Sequence, residues 1–346
     1  MSPVSGLRPV LLALAIGIGA GVAGFSLGMP LPWMLGPMVA TTLAAPFAWP
    51  VRGPDRLRPF VIPVIGVLLG ASITPEIVGQ LGSWAVTLAL LPVYLLVAAA
   101  VSYAIYRGLG RYDPTTAFYA AMPGGLNEML LLGAAAGGDE RKIATAHAAR
   151  VLFTIFFVVL YFALALGVRS TGGGALWVAL DALSLWDYAA LGFCAVAGAW
   201  LGKRLRLPAA PVFGPMILSG ALHLTEVVKV APPSLIVIAA QIVIGTVIGA
   251  RFIGTTFRSV GRDILLAILA TLAMLAVTLV CAELIAATRD MPLSQAFLGF
   301  APGGLTEMSL LSLTLGQDVA FVSVTHVIRI MLVIAAAPFA FRLLRR

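Results

Sequence analysis

Two stretches of this sequence share a motif and several polar residues beyond it, at a constant spacing of 179 residues. The motif Pro-Gly-Gly-Leu-Asn-Glu-Met begins at Pro123, and Pro-Gly-Gly-Leu-Thr-Glu-Met begins at Pro302. Beyond the motif the match continues with an aspartate, a histidine and an arginine in each copy: Asp139 and Asp318, His147 and His326, Arg150 and Arg329. Ionisable residues in strongly apolar sequence are candidate functional sites. A repeat at a fixed spacing also predicts a fold of two equivalent halves.

Each motif predicts a break in a helix with a carboxylate in the first turn that follows. Proline stops a helix and glycine permits the bend, so Glu128 and Glu307 would lie at helix N-termini, where the dipole favours negative charge. In one interpretation the glutamates bind a coupling proton or cation, while the glycine backbone, Asn127 and Thr306 hold a small solute. In the other, each glutamate caps its own helix as in a capping box. The first is favoured, and the two are compatible.

The repeated arginines are predicted to lie deep in the apolar region. At about 1.5 Å of rise per residue, Arg150 would lie roughly 12 Å along its helix from Lys142, too far to reach lipid headgroups comfortably. A buried arginine needs an anionic partner. The candidates are Glu128, Glu307 or an anionic substrate, and the sequence leaves a structural ion pair and substrate binding equally open.

The histidines and aspartates of the repeat have simpler expected roles. His147 lies three residues before Arg150, so the two share a helix face, and His326 stands in the same relation to its own arginine. A proton relay near neutral pH is one role for these histidines, but packed histidines with satisfied hydrogen bonds are favoured. Asp139 and Asp318 precede predicted helices and are expected to cap them.

Composition places the chain in a membrane. Of its 346 residues, 61% are hydrophobic and 10% are charged, with a mean hydropathy of +1.05, far from the values of a soluble domain. The net charge of +8 is spread in short clusters between apolar runs, a pattern typical of topology signals and not of phosphate contacts. We therefore expect an all-α polytopic membrane protein whose first apolar segment is a membrane helix kept in the mature protein.

The apolar runs define two equivalent sets of six segments. Residues 1–168 form the first repeat, 169–186 a linker and 187–346 the second repeat. The predicted segments are 10–27, 33–49, 60–73, 83–106, 115–136, 143–168, 187–202, 211–224, 231–250, 263–287, 294–314 and 321–341. Gly36-Pro37-Met38 recurs as Gly214-Pro215-Met216, and both are predicted to be helix kinks or close-packing points, with lining of a pathway as a less favoured role.

The distribution of basic residues predicts that the two repeats are inverted. If all twelve segments crossed, Lys and Arg would divide poorly between the two sides. If the motif segments 115–136 and 294–314 instead dip in and return, about ten crossings remain, and most basic loop residues fall on one side, with both termini in the cytoplasm. We therefore expect ten transmembrane helices plus two re-entrant or broken motif segments in the inner membrane of a bacterium.

Several classes of function are disfavoured. The histidines are His147, His223 and His326, and both cysteines, Cys194 and Cys281, fall within apolar runs, so no metal-ligand cluster is expected. A Gly-Lys-Ser or Gly-Lys-Thr nucleotide motif is absent from the sequence. We expect neither an enzyme nor a resident cofactor.

The duplicated Pro-Gly-Gly-Leu-x-Glu-Met motif, together with the paired Gly-Pro-Met elements, resembles the AbrB family of bacterial inner-membrane proteins. This family is distinct from the small soluble DNA-binding proteins that share its name, and the resemblance covers essentially the whole chain because the family is defined by two copies of one membrane unit. Its members are described variously as regulators of gene expression, as ammonia monooxygenase or as transporter-like proteins. The resemblance implies the fold more than the activity. Because the sequence has no DNA-binding module outside the membrane and no metal cluster, it disfavours the first two as direct activities.

The sequence thus favours a secondary transporter or permease for a small solute, working by alternating access between inverted repeats and coupled to a proton or sodium ion; the paired arginines favour an anion among such solutes. The alternative is a membrane-embedded sensor that affects gene expression indirectly. The lipid bilayer, the solute and the coupling ion are the expected partners, without direct binding of nucleic acid, and the oligomeric state is left open. The predicted binding residues are Pro123, Gly124, Gly125, Asn127, Glu128, Arg150, Pro302, Gly303, Gly304, Thr306, Glu307 and Arg329, with His147 and His326 as a proton relay.

Overall fold

The structure is a computed structural model, and it describes residues 7–29, 31–44, 49–75, 79, 81–165, 177–253, 257–289 and 291–344. Within these ranges the regular structure is helical throughout. The α-helices are α1 Leu7–Ser26, α2 Pro32–Ala44, α3 Arg58–Ala71, α4 Leu81–Ala89, α5 Leu91–Ala104, α6 Pro114–Ala121, α7 Leu126–Ala135, α8 Glu140–Ala165, α9 Leu185–Arg204, α10 Ala210–Leu224, α11 Ser234–Ala250, α12 Phe257–Thr288, α13 Leu293–Phe300, α14 Leu305–Thr314 and α15 Val319–Leu344. A π turn at Ile105–Leu109 extends α5, and a short 3-10 turn lies at Leu180–Ala182.

These helices confirm the prediction of an all-α polytopic membrane protein. Six spans are long and apolar enough to cross a bilayer: Leu7–Ser26, Trp84–Leu109, Glu140–Leu164, Leu185–Arg204, Gly261–Thr288 and Val319–Leu344. Shorter apolar helices occupy Arg58–Ala71, Ala210–Leu224 and Ser234–Ala250. Each predicted segment coincides with a helix or a broken pair of helices. Residues 45–48 of the second segment, 166–168 of the sixth and 169–176 of the linker lie outside the described residues.

The chain divides into two compact units. The first unit comprises Met1–Gly79, Tyr161–Thr256 and Ser309–Ala320, and the second comprises Gln80–Leu160, Phe257–Met308 and Phe321–Arg346. The first unit therefore contains α1 to α3, α9 to α11 and most of α14, whereas α4 to α7, most of α8, α12, α13 and most of α15 belong to the second. Each unit combines helices from both sequence repeats.

The Gly-Pro-Met elements are close-packing points of the first unit, as predicted. A Cβ at Gly36 in α2 would clash with the carbonyl oxygen of Ala20 in α1, and a Cβ at Gly214 in α10 would clash with that of Gly198 in α9. Pro37 lies inside α2 as its counterpart lies inside α10. Glycine lets these backbones approach closely, which is how helices associate in a membrane.

The two repeats interlock within the first unit. A Cβ at Gly66 of α3 would clash with the carbonyl oxygen of Val212 in α10, and a Cβ at Gly245 of α11 would clash with that of Met34 in α2. Helix α3 of the first repeat thus packs on α10 of the second, and α11 of the second packs on α2 of the first. Neither repeat can complete this core by itself.

In the second unit, α6 and α7 form a hairpin whose two ends meet. Asp113 caps α6 by accepting the Thr116 N–H at 2.9 Å. The hydroxyl oxygen of Thr116 then accepts the N–H of Asp139, beyond the end of α7, at 2.8 Å. A Cβ at Gly133 in α7 would lie 3.2 Å from the Cβ of Tyr119 in α6. The chain therefore reverses direction between the two helices.

The residue that closes this hairpin also begins the next helix. An oxygen of the Asp139 carboxylate accepts the Lys142 N–H at 3.1 Å, which confirms the predicted N-cap of α8. The Lys142 ammonium lies 3.8 Å from the other carboxylate oxygen. One aspartate thus fixes both the return of the hairpin and the start of the helix that carries His147 and Arg150. Asp318 directly precedes α15, where the equivalent cap was predicted.

Candidate functional site

The site lies in the second unit, where two helices end at a proline and begin again a few residues later. Helix α6 ends at Ala121, and Met122 is extended with φ −63° and ψ 127° because a following proline disfavours the helical conformation. Gly125 is extended as the N-cap of α7, with φ −66° and ψ 141°. In the second repeat, α13 ends at Phe300 and Ala301 is extended with φ −52° and ψ 138°. Each motif thus leaves carbonyl groups outside any helix.

Each repeated arginine holds the carbonyls on both sides of its proline. Arg150 of α8 donates from Nη1 to the Met122 oxygen at 2.7 Å and from Nη2 to the Gly124 oxygen at 2.8 Å. Arg329 of α15 donates in the same way to the oxygens of Ala301 and Gly303, both at 2.5 Å. An extended chain directs alternate carbonyls to the same side, so one planar guanidinium reaches both. We call this arrangement the arginine clamp.

The sequence analysis did not predict that the arginines would bind backbone carbonyl groups. Among the described residues, the terminal nitrogens of Arg150 bind carbonyls and its Nε has no hydrogen-bond partner, so the predicted ion pair of Arg150 with Glu128 is not formed. The carbonyls at the chain break have lost their helical donors and take the guanidinium instead. The signal that could have revealed it was the shared separation of 28 residues between each arginine and the residue before each proline.

The motif glutamates fold back on their own helix starts. A Cβ at Gly125 would clash with Oε2 of Glu128, and a Cβ at Gly304 would clash with Oε2 of Glu307. Each glutamate is the third residue of its helix, the position from which a capping-box carboxylate reaches the N-cap. The second motif glycine therefore leaves room for the carboxylate. This geometry fits the capping interpretation and leaves the ion-binding role a prediction.

The first motif glycine leaves room for the motif methionine. A Cβ at Gly303 would lie 2.7 Å from Cγ of Met308, and a Cβ at Gly124 would lie 3.0 Å from Cγ of Met129. Both methionines are fully buried. Gly124 also faces α15, since its Cβ would lie 2.9 Å from Cγ1 of Val333. The methionines are thus structural members of the site that sequence reasoning left out.

The repeated histidines are fully buried and make different hydrogen bonds. The Nε2 of His147 lies 2.8 Å from the Tyr119 carbonyl oxygen of α6, whereas Nδ1 of His326 lies 2.9 Å from the Val322 carbonyl in its own helix. Because a carbonyl only accepts, the bonded nitrogen carries the proton in each case. The other ring nitrogen of each histidine has no partner among the described residues. The packing role and the relay role both remain predictions.

The two arginine clamps lie close together. Arg150 and Arg329 are 5% and 2% exposed, and a Cβ at Gly124, which Arg150 holds, would lie 2.9 Å from Cγ1 of Val333, one turn beyond Arg329 on α15. The Tyr94 hydroxyl lies 3.0 Å from Oγ1 of Thr278. Its ring packs edge-on against Phe300 with centroids 5.3 Å apart. The second unit thus brings the predicted arginines of both repeats into one centre.

The remaining predicted residues surround the two breaks. Pro123 and Pro302 are buried, Thr306 and Glu307 are half-buried, and Glu128 is exposed. The side chain of Asn127 lies outside the described part of the structure. Among the described residues, no three His, Cys, Asp or Glu side chains group as a metal site would need.

The arrangement defines a class: a helical multi-pass membrane protein with chain breaks beside buried arginines. Comparison with known proteins gives the family. The model of the family described as "Transition state regulatory protein AbrB" matches residues 33–345, so the chain belongs to the AbrB family.

Two curated relatives align over nearly their whole length. "Uncharacterized protein YhjN" of Bacillus subtilis is 25% identical over 97% of this chain and 92% of its own length. "Putative regulator AbrB" of Escherichia coli is 24% identical over 95% of this chain and 93% of its own. No solved structure matches the chain.

Proposed function

We propose that this protein is a secondary transporter for a small anionic solute, working by alternating access between two inverted repeats and coupled to a proton or sodium ion. The observation that supports this proposal most strongly is the pair of arginine clamps. Each clamp holds one chain break, and both breaks lie in the same unit of a membrane protein. Non-helical backbone at membrane depth survives only where protein covers it or where it lines a cavity. Discontinuous helices of this kind form the binding sites of many transporters.

The charge at the centre supports an anionic solute. Arg150 and Arg329 are buried, and the partners that the described residues give their terminal nitrogens are neutral carbonyl oxygens. A buried charge is unfavourable unless it is paired. The N-termini of α7 and α14, which follow the two breaks, add positive dipole ends. A bound anion would neutralise the buried guanidinium charge and interact favourably with these helix dipoles.

Contacts within each unit support the inversion. Arg262 of α12 donates to the Leu109 carbonyl at 3.0 Å, and Tyr112 donates to Oδ1 of Asp263 at 2.6 Å, so the end of α5 adjoins the start of α12. Burial raises the pKa of Tyr112, which keeps its hydroxyl a donor. From α5 to α12 the chain crosses through α8, α9, α10 and α11. These four crossings bring the chain back to the side of the membrane on which α5 ends, provided that the α6–α7 hairpin does not itself cross the membrane.

A contact in the first unit also favours a hairpin that does not cross the membrane. A Cβ at Gly53, after α2, would lie 3.0 Å from the Cβ of Ala250 at the end of α11. These positions share a side of the membrane when the hairpin returns and lie on opposite sides when it crosses. Two separate sets of contacts therefore favour inverted repeats, with both termini in the cytoplasm of the inner membrane according to the basic residues.

For the coupling ion, the motif glutamates and the repeated histidines are the proposed sites. Glu128 and Glu307 lie at the helix starts that follow the breaks. His147 and His326 each lie three residues before a clamp arginine and keep one ring nitrogen without a partner. A nitrogen of this kind can accept a proton as the solute binds.

Flux through the reconstituted full chain tests the function. Proteoliposomes would be screened by electrometry with a panel of mono- and dicarboxylates, sulfate and phosphate under a pH or sodium gradient. We expect Glu128→Gln and Glu307→Gln to abolish ion-coupled flux of an active anion, while the matched control Glu140→Gln, an exposed acid in the first turn of α8, leaves it unchanged. Flux that is insensitive to both motif variants would refute the assignment of the glutamates.

Cysteine labelling tests the inversion. With Cys194 and Cys281 replaced, single cysteines at Gly138 and Gln317 would be treated in intact cells with a membrane-impermeant thiol reagent. We expect protection at Gly138 and labelling at Gln317, because the two hairpins enter from opposite faces. Labelling at both positions would indicate parallel halves and remove the basis for alternating access.

A second candidate function rests on the name of the Escherichia coli relative, which calls it a regulator. A membrane-embedded sensor could keep the same helices and affect gene expression indirectly. If the glutamate variants abolish a reporter gene's response and the wild-type protein carries no anion from the panel, the sensor function replaces the transporter function.

A further inference from the structure

We propose that the anion of this site carries two negative charges, one for each clamp arginine, so that the solute is a small dianion such as a dicarboxylate or sulfate. This inference rests on the proposed binding of an anionic solute between the repeats. It goes further by giving the ligand its charge and the atoms that would hold it.

Each clamp arginine keeps hydrogen-bond donors that the protein does not use. Nη1 and Nη2 of Arg150 are fixed on the carbonyls of Met122 and Gly124, and Arg329 has the same arrangement. The Nε of each arginine has no partner among the described residues, although Arg150 is 5% and Arg329 2% exposed. The clamp therefore occupies the end of each guanidinium and leaves its Nε edge free. That edge offers two parallel N–H groups, the geometry that a carboxylate or sulfate accepts best.

The positive charges of the two clamp arginines are not neutralised by the groups that they bind. The carbonyls bound by the clamps are neutral, so they orient the two positive charges without cancelling them. The two charges lie in one unit, where Gly124, held by Arg150, faces Val333, one turn beyond Arg329 on α15, and Glu128 does not hydrogen-bond Arg150. A monoanion would leave one buried guanidinium uncompensated, which is unfavourable at low dielectric. A dianion neutralises both.

The hydroxyl groups of Tyr94 and Thr278 donate their protons to other protein atoms. Thr278 Oγ1 donates to the Met274 carbonyl at 2.9 Å, so in its contact with Tyr94 it accepts and the tyrosine donates. The proton of Tyr94 is thus committed within the protein. Among the described residues this hydroxyl pair therefore has no proton left for a ligand, and the unpartnered Nε edges of the arginines are the donors that we assign to it.

The experiment uses purified full-length protein in detergent and measures the rise in unfolding temperature with ligand concentration. The probes are succinate, its monoamide succinamate and inorganic sulfate, at constant ionic strength set with chloride. We expect succinate or sulfate to stabilise the protein at concentrations at least tenfold lower than succinamate, because the monoamide loses one charge-assisted pair. Equal stabilisation by succinate and succinamate, or none by either dianion, would overturn the proposal.

Arginine variants assign the effect to the clamps. Arg150→Lys and Arg329→Lys keep the charge but remove the Nε edge, and each is expected to weaken the binding of the active dianion at least tenfold. Arg342→Lys, on an exposed arginine of the same helix as Arg329, is the matched control and should bind as the wild type does. Dianion binding that is unchanged in both clamp variants would contradict the proposal, and the probe series on the wild type decides it even where a variant does not fold.

The outcome separates this inference from the proposed function. Dianion binding that needs both arginines but produces no flux in proteoliposomes would refute transport and leave the dianion site standing. Arginine-dependent flux of a monoanion, with no preference for the diacid, would support transport and refute the dianion site.

Discussion

The two copies of the motif agree in some contacts and differ in others. In both copies an arginine holds the carbonyls on either side of the proline, the first glycine faces the motif methionine and the second faces the motif glutamate. The copies differ at the histidines, because His147 bonds across to α6 and His326 bonds within α15. They also differ in exposure, since Glu128 is exposed and Glu307 is half-buried.

This difference separates two kinds of constraint. The shared contacts all involve the backbone of the break, so they follow from the bend itself and recur wherever the bend recurs. The features that differ are the hydrogen bonds of the histidine side chains and the exposure of the glutamates. The arginines and glycines therefore build the site, whereas the histidines and glutamates distinguish its two sides.

Replacing a clamp arginine should have the largest effect and test the equivalence of the copies. Arg150→Met and Arg329→Met each leave two carbonyls without donors, at about 1–3 kcal/mol per buried group, and the removal of a buried charge offsets part of this. We expect each variant to lower the free energy of unfolding by about 2–4 kcal/mol in detergent. Arg342→Met should change it by less than about 0.5 kcal/mol. A loss in only one of the two clamp variants would break the equivalence.

Adding a methyl group to the motif glycines should have an intermediate effect. Gly303→Ala places a Cβ 2.7 Å from Cγ of the fully buried Met308, and overpacking of this kind costs about 1–3 kcal/mol. Gly304→Ala meets only the end of the flexible Glu307 side chain, so its cost should be under about 1 kcal/mol. Thermal unfolding of the two variants side by side measures the difference. Equal losses would show that the glutamate is held as rigidly as the methionine.

The histidines should give the smallest effect and the clearest difference between the copies. His147→Phe removes the donor to the Tyr119 carbonyl, whose helical donor would be the N–H that Pro123 lacks. The Val322 carbonyl bonded by His326 lies within α15 and keeps its helical donor. We expect His147→Phe to be more destabilising than His326→Phe by about 1 kcal/mol. Denaturant unfolding of both variants checks this. The reverse order would mean that the bond across to α6 adds no stability.

Much of the fold could be predicted from the sequence because its signals are local. Apolar composition predicts the helical membrane fold, proline and glycine predict the two breaks, and the place of Asp139 before a helix predicts its capping role. The Gly-Pro-Met elements were also read correctly as packing points. These features depend on residues close together in the chain.

The arginine clamp and the mixing of repeats could not be predicted in this way. The arginines were expected to need an anionic partner because charge was the only property that the sequence displayed, and the carbonyls that bind them are invisible in a list of side chains. The pairing of Gly66 with Val212 depends on a helix crossing between distant segments. Contacts of this kind are decided by backbone geometry, which a single sequence does not encode locally.

The exchange of helices between the repeats has a consequence for how the chain is made. Helix α3 packs against α10 and α2 against α11, so the first repeat leaves the ribosome with glycine-lined faces that have no partner yet. Its segments cannot complete the first unit until α10, α11 and residues Ser309–Ala320 have been made. The first unit can therefore close only late in synthesis, and the second only after α15. Assembly of both units must then follow insertion, as two distinct stages in the life of a single chain.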